Sequence, residues 1–197
     1  MTRLSRIAAA SAAAILLATT PLHAQQRTLI VSLYGGAADH LADLAPGAPV
    51  WFMPGYAVGA SVGVQVTRML AVHGDFTYTR NSTEGATAFA GQSVNRFFYG
   101  AHAELRYSMA GGVAPFVFAG AGAVSIDQLG VDTFRPTTRP AVMYGGGVFY
   151  TIPRSRFEVF GEIKGLTYRW NMAGFHRNMV DVTFTGGVSL AWPIGGR

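Results

Sequence analysis

The stretch at residues 179–192, MVDVTFTGGVSLAW, limits what this chain can fold into more than any other. From Val180, every second residue is apolar or glycine: Val180, Val182, Phe184, Gly186, Val188, Leu190 and Trp192. Asp181, Thr183, Thr185, Gly187, Ser189 and Ala191 stand between them, all polar or small. Successive side chains of a strand point to opposite faces, so one face of this segment is greasy and the other polar or crowded. The alternation outlasts an ordinary globular strand and covers the roughly 9–11 residues that a tilted membrane-crossing strand needs.

Composition sharpens the choice. Half of the residues are hydrophobic and 13% are charged, against about 25% charged in an ordinary soluble domain. Beyond the N-terminal segment no run of apolar residues is long enough for a membrane helix. In lipid every backbone polar group must be satisfied within the protein, which leaves helices or a closed barrel. The pattern therefore predicts an all-β fold, an eight-stranded antiparallel transmembrane up-and-down β-barrel.

The N-terminal segment reads as a cleaved signal peptide. Arg3 and Arg6 precede an Ala/Ile/Leu-rich run over residues 7–17, and Pro21-Leu22-His23-Ala24 forms a cleavage region. Residues 1–24 are accordingly assigned to the signal and 25–197 to one barrel domain. Removing the two arginines lowers the formal charge from +5 to +3. The remaining charges are scattered, which excludes a nucleic-acid partner. With no cysteine, an exported chain has no disulfide framework and depends on packing and hydrogen bonds.

Further alternating segments lie at residues 55–67, 70–80, 94–107, 142–152 and 157–170; residues 28–36 form a strand of blurred alternation, with Ile30 and Tyr34 sharing a face with Thr28 and Ser32, and residues 115–127 one with both faces apolar or small, so its facing is open. Counting 180–192, this makes eight strands. Their connections alternate strictly between long loops (37–54, 81–93, 128–140, 171–178) and short turns, the asymmetry of outer-membrane barrels. On the apolar faces Tyr107, Tyr150, Phe157 and Trp192 fall beside short turns, and Tyr56, Tyr78, Phe97 and Tyr144 beside long loops. Two aromatic bands around an aliphatic zone match a lipid slab with two interfaces. A secreted lipocalin-like binder would reverse the facing and carry the Gly, Ala and Ser positions outside, a poor fit.

The strand spacing, the Gly-rich strands GASVGVQV and GGGVFY, and the terminal strand resemble the small outer-membrane β-barrel family, OmpA/OmpX-like. Thr185, Gly187, Leu190 and Trp192 match the polar-x-Gly-x-x-hydrophobic-x-aromatic signal that such barrels present to the barrel-assembly machinery. The resemblance implies outer-membrane lipid and lipopolysaccharide as surroundings, a monomer, and a cell outer-membrane location.

If the polar face points inward, the interior receives His73, Asp75, Arg96, His102, Glu104, Arg106, Glu158, Glu162, Lys164, Asp181 and Gln65. Eight strands leave only enough width for side chains to fill, and buried ions must pair. A structural, salt-bridged polar plug is expected. His73 and Asp75 share a face with His102 and Glu104 of the next strand, a donor set that zinc uses. A neutral histidine bonded to Glu104 accounts for it more simply, so no metal and no cofactor are expected. Arg80, Arg135, Arg139, Arg169 and Arg177 lie near long-loop ends, where guanidinium groups would meet lipopolysaccharide phosphates.

Catalysis is not expected. Lipid A deacylases of this architecture carry a His-x-Ser pair, whereas here the pairs read His73-Gly74-Asp75 and His102-Ala103-Glu104. Ser61, Ser125 and Ser189 have no histidine at strand spacing to activate them. The expected role is structural, in the envelope, or surface interaction. The alternative is a narrow channel for ions or small solutes.

Overall fold

The structure, a computed structural model, describes residues 27–41, 50–85, 91–129, 137–172 and 175–194. The signal-peptide residues 1–24 lie outside the described residues. Eight long strands form the wall: β1 (Arg27–His40), β3 (Gly55–Gln65), β4 (Leu70–Gly85), β5 (Ser93–Arg106), β6 (Val113–Leu129), β7 (Thr137–Thr151), β8 (Phe157–Met172) and β9 (Phe175–Ile194). A ninth, short strand, β2 (Val50–Phe52), pairs with the loop-side end of β4. Among the described residues no helix is long and apolar enough to cross a membrane.

Every wall strand is antiparallel to both neighbours, and β1 pairs with β9 to close the ring. The closing register sets Leu29 opposite Trp192, Val31 opposite Leu190 and Leu33 opposite Val188. Closure leaves no unpaired edge, which the blurred alternation of β1 would otherwise expose. A register path from Leu29 runs through Val64, Val72, Ala103, Ala119, Tyr144, Gly165 and Val182 and returns to β1 at Asp39. That stagger is even, so inside and outside stay consistent around the ring, and for eight strands it tilts the wall by about 40°.

The outer face follows the predicted alternation. Val58, Val62, Val72, Val117, Val142, Val148, Ile163, Phe184 and Val188 are exposed in the aliphatic zone. Tyr107, Tyr150, Phe157 and Trp192 stand exposed on the turn side, and Tyr56 and Tyr144 on the loop side. Arg80 of β4 and Arg169 of β8, both exposed, bound the apolar belt on the loop side.

The strands run further on the loop side than the apolar alternation extends. Residues 81–85 belong to β4, 128–129 to β6 and 137–140 to β7, and the 171–178 connection shrinks to residues 173–174. Beyond the lipid the outward positions no longer need to be apolar, so the periodic signal stops while backbone pairing continues. On the turn side Ala110–Gly112 forms a single 3₁₀ turn, with both Gly111 and Gly112 at positive φ. Glycine reaches that region without a Cβ penalty.

Strand β6 also acquires a facing. Phe116, Phe118, Val124 and Ile126 are buried inside, while Val117, Ala119 and Ala121 are exposed outside.

Candidate functional site in the barrel lumen

The lumen is divided into sectors. On the β6–β8 side, Phe116, Phe149 and Phe160 form a chain of tilted rings with centroids 4.6 and 5.0 Å apart, joined by Phe118, Met143 and Leu166. The interior is thus not polar throughout, as the expected plug would have it. Away from the strand ends the inward positions of β6 and β7 are apolar or glycine, and their rings fill volume that would otherwise need hydrated ions.

The charges come from β4, β5 and β8 and lie against these rings, and all of the expected polar-network residues sit in the lumen. Lys164, 1% exposed, lies 3.2 Å from Asp75 Oδ2 and 3.4 Å from Glu162 Oε1. Its ammonium also donates to Tyr34 Oη at 3.0 Å and Thr77 Oγ1 at 3.3 Å. The Tyr34 hydroxyl donates in turn to Asp75 at 2.9 Å, and Thr185 Oγ1 donates to Glu162 at 3.0 Å. These contacts satisfy three buried ions with neutral donors around them, the condition for tolerating charge in a low dielectric. Tyr34 lies on the strand with the weakest alternation, and no sequence signal marks it for this cluster.

Nearer the turns, Arg106 bridges two carboxylates, 2.7 Å from Glu158 Oε2 and 3.1 Å from Glu104 Oε1. Its guanidinium also lies 3.7 Å from the centroid of the Phe149 ring. This layer separates a turn-side cavity of about 180 Å³, lined partly by Gln65, Arg106 and Glu158, from an inner cavity of about 20 Å³ lined by His73, His102 and Glu104 among others.

The histidine arrangement differs from the expected one. His73 and His102 face each other directly across β4 and β5, with ring centroids 5.0 Å apart and planes within 7°. Glu104 bonds to Arg106 rather than to His102, because a guanidinium is a stronger partner for a carboxylate than a neutral imidazole. Asp75 belongs to the Lys164 cluster.

On the loop side, Arg96 and His40 reach Asp181 at 3.7 and 3.3 Å, and Tyr168 donates to Asp181 at 3.0 Å. Phe52 of β2, buried at 7%, stacks on His40 at 4.3 Å, with the Arg96 guanidinium 4.6 Å from its ring centroid. Part of the expected 37–54 loop therefore folds over the lumen as a cap. No periodic signal marks a three-residue strand, and only the pairing of Val50–Phe52 with Thr83–Gly85 reveals it.

The candidate rim arginines do not form one ring. Arg80 and Arg169 are exposed on the outer face, and Arg80 donates to Ser93 at 3.3 Å. Arg139 and Arg177 are half-buried and in phase with the lumen-facing residues of their strands, as the pairing of Arg139 with buried Val124 shows. Arg135 lies outside the described residues.

The four assembly-signal positions split by face. Thr185 and Gly187 point into the lumen, whereas Leu190 and Trp192 lie on the outer face. The Arg156 guanidinium sits 4.7 Å from the Trp192 ring centroid. A Cβ on Gly187 would collide with the Leu33 carbonyl, the Phe160 ring and Tyr34.

No family model matches the chain, and no curated protein matches its sequence. Solved structures do match. Neisserial surface protein A has 16% identity and a TM-score of 0.58, over 84% of this chain and 97% of that one. The N-terminal β-barrel domain of Pseudomonas aeruginosa OprF has 16% identity and a TM-score of 0.55, with the same coverage of 84% and 97%. The outer membrane protein AlkL, solved by solid-state NMR in DMPC lipid bilayers, has 13% identity and a TM-score of 0.55, over 91% of this chain and 96% of that one. The fold is that of the small eight-stranded outer-membrane barrels.

Proposed function

We propose that the protein is a monomeric outer-membrane barrel with a closed lumen, acting as a structural component of the envelope or through surface contacts on its loop side. The observation that carries this reading is the filled cross-section. From turns to loops a solute would meet the Arg106 bridge, the Lys164–Asp75–Tyr34 cluster and the Arg96–Asp181–Phe52 cap in succession. A channel needs a continuous wet path, and the inner cavity of about 20 Å³ is the size of one water.

The apolar outer belt with its aromatic ends supports placement in lipid, reached with a cleaved signal at residues 1–24 and with the barrel-assembly machinery reading Thr185, Gly187, Leu190 and Trp192. Arg80 and Arg169 are the best-placed of the arginines for lipopolysaccharide phosphates. A hydrolytic role has little support. Ser32 and Ser189 bond to each other at 2.7 Å, and Ser61 shares the same small inner cavity with His73 and Asp75, where no acyl chain fits.

The test combines two measurements. Outer-membrane fractions run on a gel with and without boiling should show the mobility shift of a folded barrel, and purified protein in planar bilayers should stay electrically silent. Stable conductance steps would replace the closed reading with the channel, and a missing gel shift would return the soluble barrel to consideration. Replacing Arg80 and Arg169 together should reduce co-purified lipopolysaccharide, and unchanged amounts would end that assignment.

A further inference from the structure

The inner cavity has features that the polar plug does not use. His73 and His102 are 2% and 8% exposed, yet neither nitrogen of His73 nor Nδ1 of His102 meets a hydrogen-bond partner. Buried polar atoms are nearly always partnered, so three unpartnered nitrogens around one small space call for an explanation. One donor atom from each of His73, His102 and Glu104 lies within 4.8 Å of the others.

The pair is also built into its place by glycine. Gly63, His73, His102 and Gly120 lie side by side in register across β3, β4, β5 and β6. A Cβ on Gly63 would collide with the His73 ring, and one on Gly120 with the backbone of Ala101 and with His102. Glycine at 63 thus leaves the space that the His73 ring occupies, and glycine at 120 admits the backbone and Cβ of His102. The charge balance points the same way. In this part of the lumen, among the described residues, Asp75, Glu104, Glu158 and Glu162 pair with Lys164 and Arg106, which leaves two negative charges unmatched when all four acids are ionised.

We propose that His73, His102 and Glu104 form a buried binding site for one late first-row divalent cation, with Zn²⁺ the representative ion. Two imidazole nitrogens and one carboxylate oxygen match the preferences of zinc and its neighbours, whereas Mg²⁺ and Ca²⁺ favour oxygen alone. Ligands bound tetrahedrally at about 2.0–2.1 Å stand about 3.4 Å apart, so the stacked rings would turn toward one another and the donors draw in from their spacing of up to 4.8 Å to close on an ion. The cavity beside them admits one water as a fourth ligand. Arg106 holds Glu104 from behind at 3.1 Å, the outer-shell contact that orients a metal-binding carboxylate. The bound ion would also supply the two missing positive charges. Its route is the turn-side cavity, past the Arg106 bridge.

The test uses untagged barrel, refolded in detergent after chelator treatment, in parallel with and without Zn²⁺ so that slow entry into a closed barrel cannot hide the site. After desalting, metal analysis should find one zinc per barrel, the melting temperature should rise, and refolding with Co²⁺ should give the intense visible bands of a tetrahedral site. His73→Gln with His102→Gln should abolish retention and bands while the gel shift of the folded barrel persists. His40→Gln, in the loop-side cluster, should change neither. No retained metal in the parent protein, or equal retention by the double variant, would overturn the proposal.

Discussion

Replacing Lys164 with methionine preserves chain length and volume but removes the cation between Asp75 and Glu162. Lys164 is 1% exposed, so water does not take its place. The variant loses ion pairs of 3.2 and 3.4 Å and the ammonium's approach to the Tyr34 ring, 4.4 Å from its centroid. Breaking one side of a buried pair costs about 3–5 kcal/mol, chiefly because the partner charge is stranded. Asp75 keeps two neutral donors, the Tyr34 hydroxyl and Thr77 Oγ1, both at 2.9 Å. These place the expected cost at the lower end, about 3 kcal/mol, or roughly a hundredfold in the folding equilibrium. Lys164→Met combined with Asp75→Asn removes the more deeply buried of the two stranded charges, leaving Glu162 with its Thr185 donor, and should recover most of the loss. The assay is reversible urea unfolding in lipid vesicles, followed by tryptophan fluorescence for the parent, both single variants and the double. A cost below about 1 kcal/mol for Lys164→Met, or no recovery in the double variant, would refute the view that Lys164 neutralises an otherwise unpaired carboxylate.

Two further predictions test the outer face and the terminal strand. Val62 is 53% exposed in the middle of the apolar belt of β3, and Val62→Arg should destabilise the lipid-embedded barrel by about 2–4 kcal/mol; a neutral result in the same urea assay would contradict the facing. Trp192→Ala should lower the outer-membrane level of the protein with little change in its unfolding free energy, because Trp192 is half exposed. Gly187→Ala should instead lower intrinsic stability by about 1–3 kcal/mol through overpacking against Phe160 and Tyr34. Unchanged membrane levels of Trp192→Ala would remove the assembly-signal reading.

The terminal strand shows why Gly187 could not be interpreted from sequence alone. As part of a short motif it reads as an assembly signal, and in the barrel it also leaves space for two lumen rings. The strand at 113–129 shows the reverse limit. Its residues are apolar or small on both sides, so the period-2 pattern carries no contrast between its faces. Its facing follows from register, which places Phe118 opposite Glu104 and Val117 opposite Leu105. His102 and Glu104 share a face and suggested a bond, but Arg106, two residues further along, takes the carboxylate.

The sequence by itself determined the number of wall strands, the lipid-facing stripe and most of the ionisable groups that enter the lumen. These follow from a strict local rule, the 180° rotation of successive side chains along a strand. Only the tertiary structure decided which of those groups meet. Lys164 and Asp75, 89 residues apart, touch because the ring closes with a fixed stagger. His73 and His102 are paired by the register of β4 and β5. Closure also turned one half of the lumen aromatic and folded Phe52 over its loop end, because a narrow barrel must fill its interior with whatever side chains its register supplies.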